Sequence, residues 1–357
     1  MERVSSNAIA SSLAERSIGN LLLRRRFLVS LLLGTWLPIA FFTLIAPPIG
    51  ASGGLASLKA VFLFLGTAHV PATLFFYADK DFSSVRKSHP VRYIYVPLFL
   101  ILVSGAVFTF ASVTIQAFTL LIYWAWQAFH YGRQNVGMYA FASIAETGRA
   151  PRRAEKLVID GATLLAILGT FKVMGTAVAP AYLRVSFDYL YQIGFLSFIA
   201  LTVFSVAVYF KYFQETSLFK TLFFFTAIFF FAPVFISTDN NVGFLSYAIA
   251  HGVQYIIFMS VISVRAGDDK PGPALYKSLT LFLIFVVLLG FVFWRVNDLR
   301  EIEFVKSTWA YARIADFLFG AVLGATMSHF VIDASAWRLS MAKQRSYITK
   351  RFNFVFD

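Results

Sequence analysis

The sequence predicts an all-α integral membrane protein with about ten transmembrane helices, one domain, and both termini cytoplasmic. Three observations carry that prediction. The mean hydropathy is +0.71, with 59% of the 357 residues hydrophobic and only 14% charged, a balance far outside that of soluble globular domains. The apolar residues gather into runs near the ~20 residues that a helix needs to cross a bilayer. The remaining Lys and Arg collect in alternate connections, except for Arg295, Arg300 and Lys306 between the last two runs, which Asp298, Glu301 and Glu303 offset.

Residues 1–26 are polar, Ser/Ala-rich and end in Arg24-Arg25-Arg26, and read as a cytoplasmic N-terminal segment. The apolar run that follows is long enough to span and has no small-residue cleavage site, so it is expected to stay as an anchor rather than leave as a signal peptide. Spans are then expected at 27–47, 57–78, 93–112, 116–140, 158–179, 189–210, 219–237, 242–264, 275–295 and 311–337. Lys172 and Asp316 fall in or near two of them. Residues 27–337 thus form one polytopic domain, and 338–357 a basic cytoplasmic tail, expected to lie on the surface or to be disordered.

With the N-terminus inside, the cytoplasmic connections hold Lys80, Arg86, Lys87 and Arg92, then Arg149 to Lys156, Lys211 and Lys220, then Arg265, Lys270 and Lys277. The net charge of +13 is therefore membrane-adjacent and does not point to nucleic acid. The partners implied are the lipid bilayer and a lipophilic small molecule, with 42 Phe suited to either. The location expected is a bacterial inner membrane. With no Cys, disulfides, thiolate metal sites and a cysteine nucleophile are excluded.

Five His remain. His89, in KSHPVR, reads as a solvated loop residue, whereas His69, His130, His251 and His329 each lie inside a predicted span. An ionisable side chain in hydrocarbon is costly unless it faces a partner in the bundle interior. These four fall on the second, fourth, eighth and tenth spans, which all run from outside to inside. At 1.5 Å per residue they lie about 18, 21, 14 and 27 Å along their runs, so they can share one layer. Each has a polar residue one turn away: Thr73 after His69, Gln134 after and Gln127 before His130, Gln254 and Tyr255 after His251, and Asp333 after His329. Such neighbours suit a metal site, where the imidazole nitrogen that does not bind metal needs a hydrogen-bond partner. They suit interhelical hydrogen bonding equally in type.

Four neutral imidazoles without thiolate fit iron, copper or zinc, and iron with open positions can reduce O2. A lipophilic substrate would then lie against Trp126, Tyr131 and Tyr255. Two other classes are open: a haem- or chlorophyll-binding or structural subunit of a membrane complex, and a transporter whose path uses His130, Arg133, Gln254 and Asp333. The transporter reading predicts inverted repeats, and none is found. The haem reading usually wants two His per helix.

The motif order His69-Val70-Pro71, His130-Tyr131-Gly132, His251-Gly252 and His329 followed by Asp333 resembles the Brp/Blh-type β-carotene 15,15′-dioxygenases. These are multi-spanning membrane proteins with four intramembrane His associated with non-haem iron. The resemblance implies Fe2+ as cofactor, His69, His130, His251 and His329 as its ligands, Asp333 as an orienting residue, and oxygenase activity on a carotenoid-like substrate. Val70 and Pro71 stand where the family has Gly and, later, Asp. The Arg133-Gln134-Asn135 run stands where it has an acid.

Overall fold

The computed structural model describes residues 6–46, 53–178, 181–237, 239–264 and 273–356. These residues are mostly helical, without a strand among them. Ten helices correspond to the ten predicted spans: α1 (Ser6–Ala40), α2 (Gly54–Ala72), α3 (Val96–Phe110), α4 (Val113–Thr147), α5 (Arg153–Val178), α6 (Ala181–Lys211), α7 (Leu218–Phe229), α8 (Asn240–Val264), α9 (Pro273–Leu299) and α10 (Trp309–Ala336). An eleventh, α11 (Ala342–Arg351), follows. The expected loop residues Arg265 and Lys270, and residues 1–5, lie outside the described residues.

Among the described residues, seven helices are long and apolar enough to cross a membrane: α1, α2, α3, α6, α8, α9 and α10. The chain is thus a multi-pass helical membrane protein. The other three depart from the predicted spans for local reasons. α4 has 35 residues but carries Gln116, Gln127, His130, Arg133, Gln134 and Asn135. α5 opens on Arg153, Glu155 and Lys156. α7 has only 12 residues and gives way to turns before a separate short helix, Pro233–Ile236. Proline has no N–H for the ladder and fits only the first turn of a new helix.

The two charges inside predicted spans are paired. Lys172 lies 3.6 Å from Asp188 on α6 and over the ring of Tyr191. Asp316 accepts from Arg300 at 3.0 Å. The predicted boundary at residue 26 is not a structural one, because α1 runs unbroken from Ser6 through the arginines. Arg24 uses that continuity to donate to Ala145 O at 2.8 Å, a carbonyl in the last turn of α4, where cations and orphan acceptors complement each other.

The bundle is organised around the four His-bearing helices. α2 packs on α8, α8 on α4, α4 on α10 and α10 on α2, which closes a ring of four. Around it, α1 covers α8, α3 covers α10, α9 covers α2, and α5 with α6 extends the bundle beyond α4. The closest approaches are made by small residues. A Cβ on Gly252 of α8 would meet Gly66 Cα and His69 Nδ1 at 3.0 Å, so glycine lets α2 and α8 touch beside their histidines. Gly320 and Gly324 of α10 lie against the backbone of α3 at Ser104 and Leu100. One turn on, Ser328 donates to Pro97 O at 3.0 Å. This is small-residue packing of the kind that holds helices together in lipid.

The segment after Trp337 corrects the expectation of a surface-lying or disordered tail. α11 and the turn Asn353–Phe356 fold back under the bundle, and Phe352, Phe354 and Val355 are at most 1% exposed. Phe352 and Phe354 pack on Phe27 of α1, with centroids at 5.6 and 5.7 Å, and Phe352 packs on Phe141 of α4 at 5.3 Å. Arg351, 2% exposed, donates to Asp79 Oδ2 at 2.9 Å, to Asp81 Oδ2 at 2.7 Å and to Ile262 O at 3.2 Å. Tyr347 donates to Asp79 Oδ2 at 2.7 Å. Burial first, and the charge of Asp79 second, raise the Tyr347 phenol above its ordinary range, which keeps it a donor. The tail is basic, but its last arginine is consumed inside. These contacts also bring Phe27 of α1 and the ends of α2, α4 and α8 to one end of the bundle. Trp337, at the end of α10, joins them against Phe258. The four His-bearing helices therefore run in the same direction, as predicted.

Candidate metal centre

The ring of helices is repeated by a ring of imidazoles. Centroids of His69 and His251 lie 4.8 Å apart, His251 and His130 4.9 Å, His130 and His329 5.0 Å, and His329 and His69 5.0 Å. The diagonal from His251 to His329 is 6.1 Å. All four side chains are buried, His251 completely. The Nε2 atoms of His69, His130 and His329, and both ring nitrogens of His251, have no hydrogen-bond partner in the protein. Buried polar atoms nearly always have one, so four rings that turn unpartnered nitrogens inward form a donor set without an acceptor.

Two tautomers follow from the hydrogen bonds. His69 Nδ1 contacts Gly66 O, and a carbonyl only accepts, so the proton is on Nδ1 and the lone pair on Nε2. At His329 the chain of inference is longer. Tyr255 donates its one hydroxyl proton to Asp333 Oδ1 at 2.9 Å. In the 2.9 Å contact between Thr73 and Tyr255, Thr73 must then donate. Its oxygen is left to accept from His329 Nδ1 at 2.5 Å. His329 thus also carries its proton on Nδ1 and presents the Nε2 lone pair.

Nitrogen donors about 2.1 Å from a shared ion place imidazole centroids about 3.2 Å from it. Neighbouring rings are then roughly 4.5–5.2 Å apart, and opposite rings at most about 6.4 Å. The four observed sides and the one diagonal from His251 to His329 fall within these limits. His69, His251 and His329 form one group that can hold an ion, and His130, His329 and Asp333 a second, each with donor atoms within 4.8 Å of one another.

The predicted partners are present, but several serve a different residue from the one expected. Thr73, one turn from His69, holds His329 on another helix. Gln134, expected to orient His130, donates to Gln254 Oε1 at 2.9 Å and to His251 O at 3.3 Å. Gln254 in turn donates to Thr35 of α1 at 2.6 Å. Gln127 donates to the Tyr131 hydroxyl. None of the three glutamines therefore orients a histidine ring. Asp333 Oδ2 lies 3.6 Å from His329 Nε2 and 3.9 Å from His130 Nε2, on the inward side of the rings rather than behind them. Arg133 is turned away and pairs with Asp160 of α5 at 2.9 Å. His89, expected in solvent, is half-buried at the end of the short helix Ser83–Ser88.

The aromatic residues expected to contact substrate are packing elements of the site. Tyr131 stacks on His251 at 4.2 Å, and Tyr255 packs edge-on to His329 at 4.7 Å. Trp126 touches Phe330 at 5.8 Å, and Phe330 in turn stacks on His130 at 4.4 Å. An apolar cavity of about 320 Å³ opens between α2, α3, α9 and α10, and Thr73 and His329 form part of its wall. Leu74 and Leu98 at its margin are exposed on the outer surface. Sequence reasoning missed this cavity, and it missed Thr35 and Phe330. Thr35 and Gln254 are 219 positions apart and no periodicity connects them; Phe330 could have been noticed as the neighbour of His329.

Compared with family models, with curated proteins and with solved structures, the chain matches none.

Proposed function

We propose that the protein is a membrane-embedded non-haem metal oxygenase, with His69, His130, His251 and His329 holding one ion and a lipophilic, carotenoid-like molecule as substrate. The observation that carries this reading is the convergence of four buried imidazoles whose inward nitrogens have no protein partner. Iron is the metal that the resemblance to the Brp/Blh-type dioxygenases favours, with copper or zinc compatible by ligand type. When bound, iron supplies activation of O2, and scission of one polyene double bond by one O2 into two carbonyl products requires no further reductant. Gly66 and Thr73 fix two ring tautomers, and Phe330 and Tyr131 hold two ring planes. The cavity beside His329 takes an apolar molecule from the lipid and keeps water out. Ten crossings with both termini cytoplasmic, in a bacterial inner membrane, complete the reading, supported by the placement of Lys and Arg.

The alternative is a non-catalytic haem- or pigment-binding or structural subunit. Neighbouring rings that meet in T-shaped pairs at 4.8–5.0 Å leave no slot for a macrocycle between them. The test is metal analysis of purified protein together with extraction of copurifying lipophiles and product analysis under O2. About one iron per chain and cleaved polyene support the proposal. Absence of iron, copper and zinc with all four His intact, or a Soret band, overturns it.

A further inference from the structure

We infer that the Asp333 carboxylate is a fifth protein donor to the same single ion, so that the centre is a four-histidine, one-carboxylate site with at most one of six positions open to an outside molecule. This inference rests on the metal-site reading above and adds a donor to it.

Four observations support it. A residue that orients a metal-bound histidine contacts the nitrogen facing away from the metal, and at His329 that nitrogen is held by Thr73. Asp333 instead faces the Nε2 atoms of His329 and His130, at 3.6 and 3.9 Å. Donors that share an ion at about 2.1 Å lie roughly 3.0 Å apart when adjacent at right angles and 4.2 Å apart when opposite, and both separations fall between these limits. Second, Tyr255 engages Oδ1 and Trp337 also hydrogen-bonds the carboxyl group, while Oδ2 is the oxygen that faces the Nε2 atoms of His329 and His130.

Third, Asp333 is 4% exposed, and no Lys or Arg pairs with it among the described residues. A buried carboxylate without a counter-charge is costly, and a divalent cation in contact with Oδ2 removes that cost. Fourth, the two donor groups share His329. Its Nδ1 is occupied by Thr73 and its Nε2 has one lone pair, so His329 cannot serve two ions. One ion shared by both groups satisfies this limit, and two ions do not.

Cobalt(II) is the probe, titrated into metal-free full-length protein in detergent, for wild type and for Asp333→Asn, Asp333→Glu and His69→Ala. The wild type is expected to bind one cobalt per chain, with a five- or six-coordinate absorption spectrum and X-ray absorption first shell. Asp333→Asn is expected to bind at least 10-fold more weakly, and Asp333→Glu to bind with a shifted visible spectrum. Two cobalt ions per chain, or a four-coordinate wild-type centre, overturn the inference. So does an Asp333→Asn variant with unchanged affinity and spectrum. Because stoichiometry and coordination number are read on the wild type, they decide the matter even if a variant fails to fold. If wild type binds no metal, the underlying metal reading fails. If binding depends on His69 but not on Asp333, only the fifth donor fails.

Discussion

Thr73 at the C-terminal cap of α2 and His329 on α10, 256 residues apart in sequence, share a 2.5 Å hydrogen bond that decides which nitrogen of His329 faces the other three imidazoles. The same hydroxyl donates to Tyr255, which donates to Asp333. Replacing Thr73 by Val keeps its shape and removes both bonds. Metal affinity is expected to fall about 10–100-fold and stability by about 1–3 kcal/mol. Thr73→Ser should recover most of both. Metal titration and thermal unfolding of the two variants check this.

Single substitutions of His69, His130, His251 or His329 by Ala should each strongly deplete bound metal, because each removes one donor from the same ring. His89→Ala should retain wild-type content, since His89 lies outside that ring. Elemental analysis of the five purified variants is the measurement. A His329→Ala variant with full metal content would remove this residue from the ligand set.

Gly252 keeps α2 and α8 in contact beside His69 and His251. Gly252→Val forces the helices apart, and overpacking of this kind costs about 1–3 kcal/mol. The expected result is a lower melting temperature together with weakened metal binding, although no donor atom is removed. A variant that melts lower but binds metal with full affinity would show that this contact does not set the ring spacing.

Arg351 is the buried counter-charge of Asp79 and Asp81. Arg351→Met leaves Asp79 buried without its cation, and breaking a buried pair from one side costs about 3–5 kcal/mol. Denaturation in detergent should show that loss, and proteolysis should release the segment after Trp337. Removal of the segment altogether exposes Phe27, Phe141 and Phe258 and should favour aggregation, read by size-exclusion chromatography.

Ala325 lines the apolar cavity. Ala325→Trp should fill much of it, so that a lipophile copurifying with the wild type is lost while metal content is unchanged. Chromatography of organic extracts, alongside elemental analysis, separates the two effects.

The seven helices long and apolar enough to cross a membrane were legible in the chain because an apolar run of spanning length is a local property of sequence. The common direction of the four histidine-bearing helices, which their end contacts show, agrees with the alternation expected from the placement of Lys and Arg. Spacing of three or four residues marked Thr73, Gln134, Gln254 and Asp333 as lying near histidines. It could not say whose ring each would serve, because that depends on how each helix is rotated about its axis and on which helix stands opposite. Those quantities are set by packing: Gly252 against Gly66, and Gly320 and Gly324 against α3. Packing sent Thr73 to His329 and joined Gln134 to Gln254. It also turned Asp333 inward and opened a cavity away from Trp126, Tyr131 and Tyr255. The tail was misread for the same reason. Its charge is visible in sequence, but the acceptors of Arg351, Asp79 and Asp81, lie some 270 residues away and come within reach only when the ends of the helices are gathered at one face.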